Sequence, residues 1–188
     1  MILSLDISTT CIGFCVFSEE YKLHEISYIK FGKKLSLFEK LDEFIDNFEK
    51  YSELDFTAIA IEEPLKKFAG KFSNADTIQR LTQMNSMISG FLYKKLDIEP
   101  KYYNVLSARK TAFPDLIIPQ SHPSKKYLIW EAVMKAEPTL NWIYSKNGKL
   151  ADENFDMADS YVVGMAHIVG NIKEKSRIKE AQIAEDKK

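Results

Sequence analysis

The sequence has only two cysteines. Cys11 and Cys15 lie four residues apart in one apolar segment, so no disulfide framework is expected, the chain suits a reducing compartment, and both read as small core residues. No run of about 18 apolar residues occurs, and Asp6 interrupts the apolar N-terminus where a signal peptide needs an unbroken stretch. These two absences predict a chain that is neither exported nor membrane-spanning. A spaced Cys and His set of the kind that holds zinc is missing as well, and His24, His122 and His167 form no catalytic pattern. Internal repeats and low-complexity linkers are also absent. At 188 residues the chain is one large domain, too short for two independent enzyme lobes. With 45% hydrophobic and 28% charged residues, it can bury a core.

A formal net charge of −1 excludes little, because it conceals an asymmetry. Residues 1–63 carry 6 Lys+Arg against 13 Asp+Glu, residues 64–149 carry 14 against 6, and residues 150–188 carry 6 against 8. An acidic part and a basic part in one domain suit a site that gathers cations on carboxylates while lysines hold a polyanion; solvated helix faces produce similar runs.

Periodicity supplies the elements. Ile2 to Ile7, Gly13 to Ser18 and Leu23 to Phe31 read as hairpin-linked strands, with Thr9, Thr10 and Gly13 marking the first turn. From Ser36 the apolar residues recur as Leu37, Phe38, Leu41, Phe44, Ile45 and Phe48, one stripe of a helix, with Ser36 and Glu39 as its capping box. A strand over Phe56–Glu62, a helix over 74–96, a strand over Pro100–Leu106, a loop with Pro114, Pro119 and Pro123, a helix over 124–136 and a last helix over 152–172 follow. The order β-β-β-α-β-α-β-α-α predicts an α/β fold with a mixed five-stranded sheet, three antiparallel meander strands and then parallel ones, with helices on both faces. Residues 1–172 form the expected domain, and 173–188 a charged, flexible or frayed tail.

The acidic residues then stand out by position. Asp6 lies within an apolar strand, where a carboxylate is costly without compensation. Alternation puts Ser4 and Asp6 on one face, and Ala58, Ala60 and Glu62 on one face, so neighbouring strands would bring Asp6 and Glu62 together at a strand end above small residues that let a helix approach. On the last helix Asp152, Asp156 and Asp159 share a side. Asp152 suits the N-cap, whereas Asp159 sits among Ala158, Tyr161, Val162, Val163 and Ala166 and faces inward. Clustered carboxylates repel, and divalent cations of the Mg²⁺ or Mn²⁺ class relieve that repulsion. A wet helix face remains the alternative for the helical pair.

Three segments carry a resemblance. LDISTTCIGFCVF at 5–17, AIEEP at 60–64 and NFDMADSYVVGMAH at 154–167 resemble, in order, the opening strands, second acidic strand and closing helix of RuvC-like Holliday junction resolvases, within the RNase H-like and retroviral integrase superfamily. The resemblance implies an RNase H-like fold and a Mg²⁺-dependent endodeoxyribonuclease that resolves four-way junctions by paired symmetric nicks. It implies Asp6, Glu62, Asp156 and Asp159 as catalytic ligands of two Mg²⁺ ions, roughly 3.5–4 Å apart, with Mn²⁺ as substitute and Glu63 as the substitute for Glu62. It also implies a homodimer, with no membrane and no nucleotide cofactor. Such a protein would be intracellular and soluble, working in the cytoplasm, a virus- or phage-infected host cell or an organelle matrix.

Basic residues extend the expectation. Lys66, Lys67 and Lys71 interleaved with Phe68 and Phe72 have the composition of a surface that grips phosphates and stacks on unpaired bases. Arg109, Lys110, Lys125 and Lys126 resemble the family's DNA-holding residues near the cut. Met84, Met87 and Ile88 offer either an isologous interface or a core contact. Ser8 stands where related phosphate-handling turns have glycine. The same first turn, Asp6 to Gly13, also resembles that of actin-like and sugar-kinase ATPases, which need two such domains. Other rival readings are an RNase H-like nuclease for flaps, forks or RNA–DNA hybrids, and a non-catalytic junction binder.

Overall fold

The computed structural model describes residues 1–64, 75–119 and 124–185. Strands β1 (Ile2–Ile7), β2 (Cys11–Phe17) and β3 (Leu23–Lys30) are followed by helix α1 (Leu37–Phe48), strand β4 (Ala58–Glu62), helix α2 (Ala75–Leu96), strand β5 (Lys101–Tyr103) and helices α3 (Val105–Ala112), α4 (Lys125–Ala136) and α5 (Glu153–Glu185). The strands form one sheet in the order β3-β2-β1-β4-β5. β1 to β3 are an antiparallel meander, β4 runs parallel to β1, and β5 runs parallel to β4. The expected mixed sheet is thus present. Among the described residues, no helix is long and apolar enough to cross a membrane.

Strand alternation assigns each face a core. Leu3, Leu5, Ile12, Phe14, Ile59 and Ile61 face α1 and α2, packing on Phe44, Phe48, Met84, Ile88 and Leu92. Ile2, Cys15 and Phe17 face the other way, onto Ala108, Ile129, Trp130, Val133, Ala158 and Tyr161 of α3, α4 and α5. Ser36 accepts the Glu39 N–H at 3.2 Å and donates its own N–H to the Glu39 carboxylate at 2.7 Å, so the capping box starts α1 as its sequence requires.

Helix α5 lies against the face bearing the small residues. A Cβ on Gly13 would stand 2.0 Å from the backbone oxygen of Asp156, and one on Gly164 would stand 2.2 Å from the Phe17 ring. Gly13 therefore belongs to the middle of β2, where it admits the helix backbone, rather than to the turn. The Ser4 hydroxyl donates to the Ser160 carbonyl at 2.9 Å, and the Cys15 thiol meets the Ser160 hydroxyl at 3.2 Å. These buried bonds set the height of α5 over the sheet.

Four features that the sequence left open or bounded differently have local causes. The fifth strand stops at Tyr103, because Asn104 accepts the N–H groups of Leu106 and Ser107 and caps α3, a helix absent from the periodicity reading. Met84 and Ile88 are fully buried between α2 and the sheet, which resolves them as core contacts and not an exposed interface; Met87 is half-buried. Residues 144–150 close as a small hairpin through a Tyr144–Leu150 bridge. Finally, α5 continues past Ile172 to Glu185, with 173–182 exposed.

Candidate metal centre

The parallel register decides where the carboxylates meet. Ser4 pairs with Ala60 and Leu5 with Ile61, so the next step along both strands sets Asp6 beside Glu62. On its other side Asp6 is opposite Gly13, the residue over which α5 passes. The helix thereby brings Asp159 in from above. One carboxylate oxygen from each of Asp6, Glu62 and Asp159 lies within 4.8 Å of the others. Asp156, one turn earlier in α5, lines the same cleft of about 290 Å³, as do Glu63, Arg109 and Lys126.

Burial and like charge act together here. Burial, then Glu62, Asp159 and Asp156, hold the Asp6 carboxyl well above the usual carboxylate range, with Lys126 opposing them. Burial, then Asp159, pushes the Glu62 carboxyl up to about 7, although Arg109 and Lys126 pull it down. Burial raises Asp156 too, against the pull of Lys126. Burial works against the charge of Lys126, yet the surrounding carboxylates outweigh it and hold its ammonium above the usual range. Arg109 donates to Asp159 at 2.8 Å, and Lys126 stands 3.7 Å from Asp156. Among the described residues, no salt bridge reaches Asp6 or Glu62.

These placements sort the expected site residues. Asp6, Glu62 and Asp159 form the tightest group, Asp156 flanks it, and Glu63, outside that trio, fixes its backbone N–H to the Tyr103 carbonyl at 2.9 Å. Of the four expected basic contacts from α3 and α4, Lys126 enters the cleft and Lys110 and Lys125 are exposed. Arg109 is only 15% exposed and is committed to Asp159. Its sequence signal is its place at the end of a short capped helix, which periodicity alone does not reveal. Lys66, Lys67, Phe68, Lys71 and Phe72 lie outside the described residues. Ser8 is also explained: its hydroxyl accepts the N–H groups of Thr10 and Cys11 at 3.2 and 3.0 Å, tying the β1–β2 turn without glycine's conformational freedom.

The donor set fits a hard divalent cation. All close donors are carboxylate oxygens, the class preferred by Mg²⁺ and Mn²⁺. Asp6 and Glu62 form no salt bridge among the described residues although burial disfavours their charge, and Arg109 and Lys126 offset that only in part, so a bound cation would lower the remaining electrostatic cost.

No protein-family model matches the chain, and none of the curated proteins compared with it is similar in sequence. Solved structures do match in shape. Thermus thermophilus RuvC in complex with a Holliday junction substrate superposes with a TM-score of 0.62 at 11% identity, covering 89% of this chain and 92% of that one. A second Thermus thermophilus RuvC structure gives 0.62 at 13% identity, covering 92% and 96%. The yeast mitochondrial Holliday junction resolvase Ydc2 gives 0.57 at 16% identity, covering 89% and 77%. With its sheet order, its helices on both faces and this overlap along most of its length, the chain has the RuvC-like resolvase fold of the RNase H-like class.

Proposed function

We propose that the protein is a structure-specific endodeoxyribonuclease that resolves four-way DNA junctions by paired symmetric nicks. The observation that carries this reading is the convergence of Asp6, Glu62, Asp156 and Asp159 from three separate elements into one cleft. Likeness in fold to junction resolvases adds support. Those four residues would hold two divalent ions, Mg²⁺ or Mn²⁺. Bound there, the ions would supply a water of lowered pKa as nucleophile and neutralise charge on the leaving oxygen.

The protein's own groups do the rest. Asp6 and Glu62, fixed at the ends of adjacent parallel strands, keep their oxygens in place without a loop's freedom. Arg109 holds Asp159 in one orientation through its 2.8 Å bond. Lys126, with its side chain 56% exposed at the cleft, faces an incoming phosphate and offsets negative charge developing on it. A second copy of the chain would place a matching cleft on the opposite arm, as two symmetric cuts require.

The test is a nicking panel with purified protein in Mg²⁺. A synthetic four-way junction should be cut at symmetric positions, in preference to a flap, a fork and an RNA–DNA hybrid of the same sequence. Preferential cutting of one of the other substrates would assign the cleft to that substrate, and junction binding with no cutting by the wild-type protein would end the nuclease reading.

A further inference from the structure

The small hairpin between α4 and α5 is built more firmly than a connection needs. The Ser145 N–H donates to the Lys149 carbonyl at 2.7 Å, the Gly148 N–H donates to the Ser145 carbonyl at 2.9 Å, and the Lys149 N–H reaches the Ser145 hydroxyl at 3.1 Å. Gly148 closes the turn at φ 71°, where a side chain would be strained. The root is fastened by Asn154, which has no exposed surface. Its Oδ1 accepts the Ile143 N–H at 2.9 Å, and its Nδ2 donates to the carbonyls of Ile143 and Ala151 at 2.7 and 2.9 Å. Trp142 adds an edge contact on Trp130, with ring centres 5.8 Å apart.

That root sits beside the carboxylate cleft. Asn154 precedes Asp156 by two positions in α5, and Trp130 follows Lys126 by about one turn in α4. Asp156 and Lys126 face each other across the cleft at 3.7 Å. At the far end, Lys146 and Lys149 are exposed, and neither forms a salt bridge among the described residues. They are the last two cations of the basic stretch in the sequence. The loop carries two exposed ammonium groups on the segment joining the helices that supply Lys126 and Asp156, neither has an anionic partner among the described residues, and a polyanion leaving the cleft supplies one.

We infer that the hairpin at 143–151 is a phosphate clamp, with Lys146 and Lys149 holding the DNA backbone beside the phosphate that enters the carboxylate cleft. This rests on the nuclease reading and adds a contact to it. Four extended residues from root to tip reach roughly 13 Å. At about 3.4 Å per nucleotide along one strand, the clamp engages phosphates some three to four nucleotides from the cut.

Two measurements test it. Lys146→Ala with Lys149→Ala changes only exposed positions, and equilibrium binding to a labelled four-way junction in Ca²⁺ is followed over a salt series. Loss of two phosphate contacts lowers the salt slope by about 1.8 and weakens binding about 30-fold near 0.15 M salt, taking about 0.9 counterion per contact. An unchanged affinity and slope overturn the clamp and leave the nuclease reading standing. A wild-type protein that does not bind the junction removes that reading and the clamp with it. In the second measurement, Asn147→Cys carries a tethered iron chelate, Cys11 and Cys15 being buried. Radical cleavage is expected three to four nucleotides from the nick, and its absence from that strand segment overturns the clamp.

Discussion

Replacing Gly13 by alanine tests whether α5 rests directly on β2 where the carboxylates meet. The added Cβ would stand 2.0 Å from the Asp156 oxygen, 2.2 Å from its carbonyl carbon and 2.6 Å from the Met157 nitrogen. Ordinary contact begins at 3.4 Å, so strand and helix must part by about 1.4 Å. Every atom met is backbone, and no rotamer change relieves the clash. Overpacking of this kind costs about 1–3 kcal/mol, which at roughly 2–4 °C per kcal/mol lowers the melting midpoint by about 2–12 °C. The displaced helix also carries Asp156 and Asp159 away from Asp6, and a misplacement of about 1 Å can cost on the order of a hundredfold in rate. Thermal melts and Mn²⁺ titration calorimetry read both effects. Gly90→Ala is the control: nothing lies within 4 Å of its Cβ, and its helical site predicts a gain of up to about 1 kcal/mol. A Gly13→Ala protein that melts and binds Mn²⁺ like wild type would refute the direct seating of α5.

Further outcomes follow from the same geometry. Asp6→Asn replaces a half-buried carboxyl crowded by three others, so it should raise the melting midpoint in EDTA while abolishing cutting and sparing junction binding in Ca²⁺; equal loss of binding and cutting would make Asp6 structural. The Glu62 carboxyl ionises above 4.5 when unfolded but only near about 7 when folded, so the metal-free protein should lose stability as pH rises across that window. Stabilisation by Mg²⁺ should grow over the same range, and melts in EDTA and in Mg²⁺ that run parallel with pH would contradict this. Arg109→Gln leaves Asp159 without its buried partner and should cost about 3–5 kcal/mol in EDTA, with partial recovery in Mg²⁺; a loss unaffected by Mg²⁺ would place Asp159 outside the metal centre.

The sequence reveals the sheet and half of the site for one physical reason: a side-chain period of two survives in short strands. Ser4 with Asp6, and Ala60 with Glu62, declare their shared face, and the small residues declare the approach of a helix. A period of 3.6 needs length to show itself. It identifies α1 and α5 but misses α3, whose 8 residues begin directly after a strand and rely on the Asn104 cap. Arg109 is legible only as a cation, because its partner Asp159 lies 50 residues away. Gly13 signals a turn by composition, yet its role depends on a helix more than a hundred residues later. The hairpin at 143–151 is hidden for another reason: its anchor Asn154, 11 residues from Ile143, lies within an otherwise ordinary helix start.

The most direct test of the central claim is anomalous diffraction from crystals soaked in Mn²⁺. Two peaks are expected inside the cleft, each coordinated by oxygens of Asp6, Glu62, Asp156 or Asp159. An empty cleft at saturating Mn²⁺, or density bound only elsewhere on the surface, would contradict it.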